Sequence, residues 1–221
     1  MTNPPNKKQI FLVDDHPLVR EWLTNLIRQQ PDLTVCGETD SAPTALSSIA
    51  TLKPDLVVAD INLKNSSGIE LVKNLKESHP DIPVLILTMH DESLYAERVF
   101  RAGARGFVNK RETAQKMVEA IHRVLDGKLY VNERAAEILA AKTVHGPAAN
   151  RSAIEILSDR ELEVFDKLGQ GIGTSQIAKD FGVSVKTVQE YCARIKEKLN
   201  LNNATELLRE AVRWHDSKSG N

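Results

Sequence analysis

The sequence predicts two domains of different class, an α/β domain over residues 8–127 and an all-α domain over residues 155–216. In the first region, five short apolar runs alternate with segments whose apolar residues recur at helical spacing. In the second region only the helical spacing remains. Five successive strand–helix units favour a parallel sheet covered on both faces and joined by right-handed crossovers. A chain of 221 residues is long enough for two domains of ordinary size.

The predicted strands are nearly continuous apolar runs, as expected where helices cover both faces of a sheet. They span Ile10–Asp14, Leu33–Glu38, Leu56–Asp60, Ile82–Leu87 and Arg105–Asn109.

A predicted helix follows each strand. In the first helix, five apolar residues recur at helical spacing and are expected to face inward: Leu18, Trp22, Leu23, Leu26 and Ile27. The other four helices are predicted at Pro43–Leu52, around Ile69–Leu75, at Glu92–Arg101 and at Ala114–Leu125.

Residues 128–154 are predicted to link the two domains. An alanine-rich helix is expected over Asn132–Lys142, and a flexible stretch over Thr143–Ala153.

Four helices are predicted in the C-terminal domain. The segment Ser158–Glu161 has the pattern of a capping box and opens the first of them. Gln176–Phe181 forms the second, and Gly182 turns the chain into a third helix that Ser184 caps and that ends near Leu199. A fourth helix is expected to end at Trp214.

Composition excludes several classes of protein. The net charge is −1, and residues 151–221 carry 11 basic and 11 acidic side chains, so the C-terminal domain is not a basic one. The apolar runs are too short to cross a membrane, and the N-terminus lacks the apolar core of a signal peptide. Cys36 and Cys192 fit no metal or redox motif. We therefore expect a cytoplasmic protein with reduced thiols and no membrane partner.

Chemistry-bearing side chains stand at or just after the C-terminal ends of four predicted strands: Asp14 and Asp15, Asp60, Thr88, and Lys110. In a sheet of strand order 2-1-3-4-5, strands one and three are neighbours at the switch point, so the three aspartates would converge. Carboxylates without a nearby arginine repel one another, and a divalent cation with oxygen ligands, most suitably Mg²⁺, relieves that repulsion.

Within such a site, each group has a role in phosphoryl chemistry. Asp60 is the candidate nucleophile that would form an aspartyl phosphate. Lys110 would neutralise the phosphoryl charge, and the Thr88 hydroxyl would donate to a phosphoryl oxygen. Each residue alone has a plainer interpretation as a turn cap, a solvated carboxylate, a strand terminus or a surface charge. Their common position at one end of the sheet favours the joint interpretation.

These residues and their intervals resemble the receiver domain of two-component response regulators, a (βα)5 domain of flavodoxin-like fold. The resemblance to receiver domains covers residues 8–127. It includes the surrounding segments Val13-Asp-Asp-His-Pro-Leu-Val-Arg20, Leu87-Thr-Met-His-Asp91 and Gly103-Ala-Arg-Gly-Phe107. The resemblance implies that Asp60 is the phosphoacceptor and a sensor histidine kinase the donor. It also implies that Asp15, Asp60 and the backbone carbonyl of Asn62 bind Mg²⁺ and that Asp14 acts partly through water.

The resemblance assigns a switching role to Thr88 and Phe107, in which the hydroxyl moves to the phosphate and the ring swings inward behind it. Lys64 departs from the proline usual at that position and bears on phosphoryl lifetime. His90 is expected to be a solvated rim residue, and His16 to pack at the start of the first helix rather than to act as a base.

The second and third C-terminal helices form a helix-turn-helix pattern. One face of the third helix is apolar, with Val188, Cys192, Ile195 and Leu199. The rest of that helix is expected to meet DNA through Lys186, Thr187, Gln189, Glu190, Ala193, Arg194 and Lys196.

The sequence of the C-terminal domain is similar to the LuxR-type domain of NarL/FixJ-family regulators. It includes Leu157-Ser-Asp-Arg-Glu-Leu-Glu-Val164, Gln176-Ile-Ala, Thr187-Val188 and Lys198-Leu-Asn-Leu201. Gln189 replaces the usual lysine and Glu190 follows it, so Gln189 would bond adenine and Glu190 would accept from cytosine or reject other bases. The resemblance implies dimer contacts from the last helix, with Leu208, Val212 and Trp214 as candidates.

The sequence thus predicts a phosphorylation-controlled transcription regulator. Phosphorylation is expected to free the DNA-binding domain from the receiver, to promote dimerisation, or both, and so to control promoter binding. Its expected partners are a histidine kinase, promoter DNA and a second copy of itself on activation, with RNA polymerase as a further candidate. Apart from catalysing its own phosphorylation and dephosphorylation, it is not expected to be an enzyme. The main rival is a receiver whose C-terminal helices dock a protein. A flavodoxin-like cofactor binder is disfavoured, because Asp14-Asp-His-Pro17 stands where a glycine-rich phosphate loop would be.

Overall fold

The computed structural model describes residues 7–63, 66–89, 92–133, 135–137, 140 and 153–219. The chain divides into two compact units, residues 1–144 and 145–221. Within the described residues, no helix is long and apolar enough to cross a lipid bilayer.

The N-terminal unit is built on a five-stranded parallel sheet. Its strands are β1 (Lys8–Val13), β2 (Leu33–Thr39), β3 (Leu56–Asp60), β6 (Val84–Thr88) and β7 (Gly106–Asn109), and their spatial order is β2-β1-β3-β6-β7. A separate antiparallel ribbon is formed by β4 (Asn62–Leu63) and β5 (Ser66–Ser67). Counted along the chain, the main sheet therefore has the predicted order 2-1-3-4-5, and the predicted α/β fold is confirmed.

Helices pack on both faces of this sheet. They are α1 (Pro17–Arg28), α2 (Ala42–Leu52), α3 (Gly68–Ser78), α4 (Glu92–Ala102) and α5 (Ala114–Leu125). One core lies between the sheet and the helices α1 and α5, and α3 contacts both α2 and α4. Since both faces are covered, β3 and β6 are buried along their whole lengths.

Two sequence expectations for this unit are wrong. Leu18 does not face inward but is 79% exposed, and Trp22 is 38% exposed, whereas Leu23, Leu26 and Ile27 are buried. At about 100° per residue, Leu18 lies opposite Ile27 around the helix, so both cannot face the sheet. The fourth strand begins at Val84 and not at Ile82, because the amide of Ile82 donates to the carbonyl oxygen of His79 in a turn.

The outer edge of β7 is covered by the chain that follows α5. The amide of Tyr130 donates to the carbonyl oxygen of Arg105 (3.0 Å), and the amide of Phe107 donates to that of Tyr130 (3.1 Å). These two bonds form a parallel bridge between Gly106 and Tyr130. The Tyr130 side chain is 7% exposed and joins the core under α5.

Several predicted features lie outside the described residues. Lys64, His90 and the segment 143–152 belong to this group. The predicted helix Asn132–Lys142 is described only in part. There, the amide of Ala135 donates to the Asn132 side chain, as at a helix start. The predicted boundaries of the linker therefore stay predictions.

The C-terminal unit is all helical. A 3₁₀ turn at Ala153–Ile156 leads into α6 (Asp159–Gly169), α7 (Thr174–Phe181), α8 (Val185–Leu199) and α9 (Ala204–Ser219). The predicted capping box is present, with Ser158 and Glu161 bonding each other's backbone amides. The last helix runs to Ser219, five residues beyond the predicted end at Trp214. Cys36 and Cys192 are both free and partly buried.

Candidate functional site

Three aspartates meet at the carboxyl edge of the sheet. Asp14 and Asp15 directly follow β1, and Asp60 is the last residue of the neighbouring strand β3. Asp14 and Asp60 are buried, with 1% and 4% of their surfaces exposed, whereas Asp15 is half-buried. Burying carboxylates is costly unless a cation or hydrogen-bond donors compensate them, so the residues around them decide what the site does.

Lys110 supplies part of that compensation. Its ammonium lies 2.6 Å from Asp14 Oδ2 and 2.8 Å from Asp60 Oδ2, and its side chain is almost fully buried. The backbone amide of Lys110 donates to the carbonyl oxygen of Thr88 (2.7 Å), which fixes the lysine beside the end of β6. One ammonium therefore connects carboxylates at the ends of two different strands.

The electrostatics remain unbalanced in spite of this lysine. Burial raises the pKa of Asp60 to about 6, Lys110 works against that rise, and Asp14 and Asp15 add to it. Burial alone would lower the pKa of Lys110, but the carboxylates of Asp60 and Asp14 outweigh burial and raise it. Three carboxylates facing one ammonium leave an excess of negative charge that suits a further cation.

The ligand atoms are close enough for one metal ion. One donor atom each from Asp14, Asp15, His16 and Asp60 lies within 4.8 Å of the other three. The cluster is consistent with a divalent metal, because carboxylate oxygens dominate the donor set. His16 is the N-cap residue of α1, but it does not pack there as expected: its ring is 66% exposed, and Nδ1 lies 2.6 Å from Asp15 Oδ1.

The remaining predicted receiver residues lie on the same part of the sheet. Thr88 ends β6 and Phe107 stands on the adjacent strand β7, and both side chains are fully buried. Asn62 opens the short ribbon two residues after Asp60 and pairs with Ser67. Thr88 and Phe107 therefore lie buried on adjacent strands, and the switching role suggested for them stays a prediction.

Sequence reasoning missed two residues that shape the site. A Cβ added to Gly68 would lie 1.9 Å from the backbone oxygen of Asp60, so only glycine fits there. Arg20 Nη1 donates to the carbonyl oxygen of Asp14 (2.6 Å), although the sequence argument assumed no arginine beside the carboxylates. Arg20 lies one helical turn after Asp14-Asp15-His16, and this spacing indicates that its side chain can reach the Asp14 carbonyl.

A second candidate site is the exposed face of α8. Gly182, with φ of 64°, turns the chain after α7, and the Ser184 hydroxyl accepts from the amide of Thr187 (3.1 Å) at the start of α8. Val188 and Ile195 are buried beneath the helix. Five of the predicted DNA-facing residues are exposed and two are half-buried; the exposed ones are Lys186, Gln189, Glu190, Ala193 and Arg194, and the half-buried ones are Thr187 and Lys196.

Specific side-chain contacts join α6 to α8 and to α7. Lys198 Nζ lies 2.6 Å from Glu161 Oε2, and Glu161 also bonds the amide of Ser158. Burial raises the pKa of Glu161, but the bonds from Lys198 and Ser158 outweigh burial and lower it. The guanidinium of Arg160 stacks 3.9 Å from the centre of the Phe181 ring, which ties α6 to the end of α7. The helix-turn-helix pair is therefore supported by specific contacts.

The three residues suggested for dimer contacts differ in packing and exposure. The Trp214 ring packs on Phe165, with ring centres 5.3 Å apart, so it belongs to the core of its own unit. Leu208 is 46% exposed and Val212 is 37% exposed, one turn apart on α9.

Comparison with known proteins agrees with this architecture. Residues 10–122 match the model of the response regulator receiver domain, and residues 155–211 match that of bacterial regulatory proteins of the luxR family. The response regulator GacA of Pseudomonas viridiflava is 35% identical over 93% of this chain and 95% of its own length. The DNA-binding transcriptional activator DevR/DosR of Mycobacterium tuberculosis is 33% identical over 90% of this chain and 91% of its own.

Solved structures give the same result. A LuxR-family two-component response regulator from Aurantimonas is 34% identical, with a TM-score of 0.60 over 63% of this chain and 99% of its own. RcsB of Salmonella enterica, determined bound to promoter DNA with a phosphomimetic, is 23% identical with a TM-score of 0.61 over 92% of this chain and 98% of its own. At that identity the RcsB likeness shows the fold alone.

The fold and the two matched domains define a two-component response regulator with a LuxR-type DNA-binding domain. This chain belongs to the NarL/FixJ family of these transcription regulators, among which GacA and the oxygen regulatory protein NreC of Staphylococcus carnosus are similar along nearly its whole length.

Proposed function

We propose that Asp60 accepts a phosphoryl group from a sensor histidine kinase, with Mg²⁺ present, and that this controls promoter binding by the C-terminal domain. The observation that carries the proposal is the position of Lys110, whose ammonium joins Asp14 and Asp60 while Asp15 stands beside them. This arrangement has the parts that phosphoryl transfer to a carboxylate requires.

Asp15, Asp60 and the backbone carbonyl of Asn62 would hold Mg²⁺, which prefers oxygen ligands, and Asp14 would act partly through water. When bound, Mg²⁺ would offset the excess negative charge and hold a phosphoryl oxygen. Asp60 attacks the phosphorus of a phosphohistidine that is protonated on its other ring nitrogen. A P–O bond forms as the P–N bond breaks, and the imidazole leaves as a neutral ring that keeps this proton. Lys110 then exchanges its Asp60 contact for a phosphoryl oxygen while its contact with Asp14 keeps it in place.

The same site would carry the switch. In our proposal, the Thr88 hydroxyl donates to the phosphoryl group, and the buried position of Phe107 is stabilised behind it. The receiver catalyses its own phosphorylation and hydrolysis, which is switching chemistry and not metabolism. We place the protein in the cytoplasm, where the kinase and the promoter are both accessible.

The proposed output is sequence-specific DNA binding by a dimer. Helix α8 presents the seven predicted contact residues together, and exposed polar side chains on one helix face suit a major groove. Leu208 and Val212 form an exposed apolar pair on α9 that would pair two C-terminal domains. Two copies would then reach two half-sites, with RNA polymerase as a further candidate partner at the promoter.

The receiver half of the proposal is tested by solution molar mass with Mg²⁺ and beryllium fluoride, a phosphoryl mimic. Wild type is expected to double in mass only with both additions, and Asp60→Asn is expected to stay monomeric. An unchanged mass, together with unchanged operator affinity, would contradict control by Asp60.

The DNA half is tested by operator binding of Lys186→Ala with Arg194→Ala. This double variant is expected to lose operator binding, because both exposed cations stand on α8. Arg28→Ala, an exposed arginine on α1, is the matched control and should bind as wild type does. Full binding by the double variant would favour a protein-docking role for the C-terminal helices.

A further inference from the structure

Arg20 is a charged residue that contacts the backbone of the proposed metal site and has no role in the mechanism above. It stands one turn into α1, and its side chain is 17% exposed. Nη1 donates to the carbonyl oxygen of Asp14 at 2.6 Å, and Nε donates to Glu38 Oε1 on β2 at 3.4 Å. The guanidinium therefore connects the end of β1 to the neighbouring strand.

The contact falls where the regular hydrogen bonding of β1 ends. The amide of Asp14 still donates to the carbonyl oxygen of Thr39 on β2 (3.1 Å). The Asp14 carbonyl belongs to the same planar peptide group as the amide nitrogen of Asp15. By holding that carbonyl, Arg20 fixes the plane from which the Asp15 side chain departs toward the metal site.

The charge of Arg20 and its position have opposite effects on a bound cation. As a positive charge near the carboxylates, Arg20 would weaken cation binding, although its ion pair with Glu38 offsets part of that field. As a tether of the Asp14–Asp15 peptide, it would strengthen binding by holding a ligand in place. The direction in which the cation affinity changes when Arg20 is removed therefore shows whether its charge or its tethering of the peptide has the larger effect.

We propose that Arg20 is a positioning residue that orients Asp15 through the Asp14 carbonyl, so that its removal weakens divalent-cation binding even though a positive charge is lost. This inference rests on the metal site proposed above. Outer residues that orient metal ligands typically contribute about 10- to 100-fold in affinity. We expect Arg20→Ala to fall in the lower part of that range.

The test measures Mn²⁺ binding to the full chain by electron paramagnetic resonance, with Mg²⁺ affinity obtained by competition. Arg20→Ala is expected to bind roughly 10-fold more weakly than wild type. Arg20→Lys should recover part of the loss, because an ammonium can reach one oxygen but lacks the fork that engages two partners. Arg28→Ala, an exposed arginine on the same helix, removes the same charge and should leave affinity unchanged.

Two further variants separate the outcomes. Asp15→Asn should abolish tight binding if the metal site exists, and wild type that binds no Mn²⁺ would overturn both the site and the role of Arg20. If wild type binds and Asp15→Asn does not, an Arg20→Ala affinity that is equal or tighter overturns the role of Arg20 alone.

Glu38→Gln keeps Arg20 but removes the charge of its ion-pair partner. A smaller loss of Mn²⁺ affinity is therefore expected than for Arg20→Ala. Circular dichroism and thermal unfolding confirm that each variant is folded. If Arg20→Ala is unfolded, a Glu38→Gln affinity equal to that of wild type overturns the proposal.

Discussion

Replacing Asp60 by asparagine should stabilise the metal-free receiver. Asp60 has a pKa of about 6 in place of 3.8, because burial and two neighbouring carboxylates together outweigh Lys110. A difference of about two units corresponds to ~3 kcal/mol, at about 1.4 kcal/mol per unit, when the pH is well above 6. Asparagine carries no charge and leaves Lys110 paired with Asp14, so we expect a gain of about 2–3 kcal/mol near pH 7.5.

The sign of the pH dependence follows from the same shift. Between the unfolded pKa of 3.8 and the folded pKa of about 6, the folded receiver binds more protons at Asp60 than the unfolded chain does. Wild-type stability from this group therefore rises as the pH falls through 6, and the advantage of Asp60→Asn shrinks and is mostly lost near pH 4. Mg²⁺ at about 100 times its dissociation constant would add ~2.7 kcal/mol to wild type and close the gap at neutral pH.

Urea unfolding with tryptophan fluorescence measures this difference. The chain has two tryptophans, Trp22 on α1 and Trp214 on α9, so a Trp214→Phe background makes the signal specific to the receiver. The exposed carboxylate of Asp81 supplies the control, since Asp81→Asn should change stability little. If Asp60→Asn is no more stable than wild type in EDTA at pH 7.5, then burial and repulsion do not raise the pKa of Asp60 in the folded receiver.

Three further perturbations have defined outcomes. Gly68→Ala should weaken Mn²⁺ binding by about 10-fold or more, because its Cβ would displace the Asp60 carbonyl, whereas Gly173→Ala, with nothing within 4 Å, should not. Glu161→Gln should cost ~1–3 kcal/mol of urea stability in the C-terminal unit. Since its bonds lower the pKa of Glu161 from 4.5 despite burial, this contribution is present above pH 4.5 and is lost as the pH falls through the lowered value, so the two proteins should converge in acid. Glu190→Gln should relax a preference for cytosine by about 1–3 kcal/mol in a base-substitution series, and equal selectivity in both proteins would exclude direct reading by Glu190.

The sequence predicted the strand ends, and with them the positions of the candidate site residues, because these depend on local patterns, whereas the sheet order belongs to the flavodoxin-like fold that the resemblance implies. A strand end is visible as the last residue of an apolar run, and the parallel topology brings such ends together. For this reason Asp14, Asp60 and Lys110 could be grouped before any coordinates were known. The capping box at Ser158–Glu161 was predictable for the same reason, since all of its partners lie within four residues.

Features that depend on contacts between distant segments were not predictable in this way. The inward face of α1 was misassigned because Leu18 and Trp22 share the apolar character of the buried residues but not their angular position. Gly68 directly precedes the helix predicted around Ile69–Leu75, and only the approach of the Asp60 carbonyl shows why a side chain is excluded there. The pairing of Tyr130 with β7 joins segments more than 20 residues apart.

That pairing limits how the proposed switch can act. Strand β7 carries Phe107 and leads into Lys110, and it is hydrogen-bonded to β6 on one side and to Tyr130 on the other. Sliding or detaching this strand would break both sets of bonds, and each buried backbone group left unpaired costs about 1–3 kcal/mol. Phosphorylation is therefore expected to act through the Thr88 hydroxyl, the Phe107 ring and the surrounding loops, while the backbone of β7 stays fixed. Since the amide of Phe107 donates to Tyr130 at the start of the predicted linker, a shift of the Phe107 ring would reach that linker through one hydrogen-bonded residue.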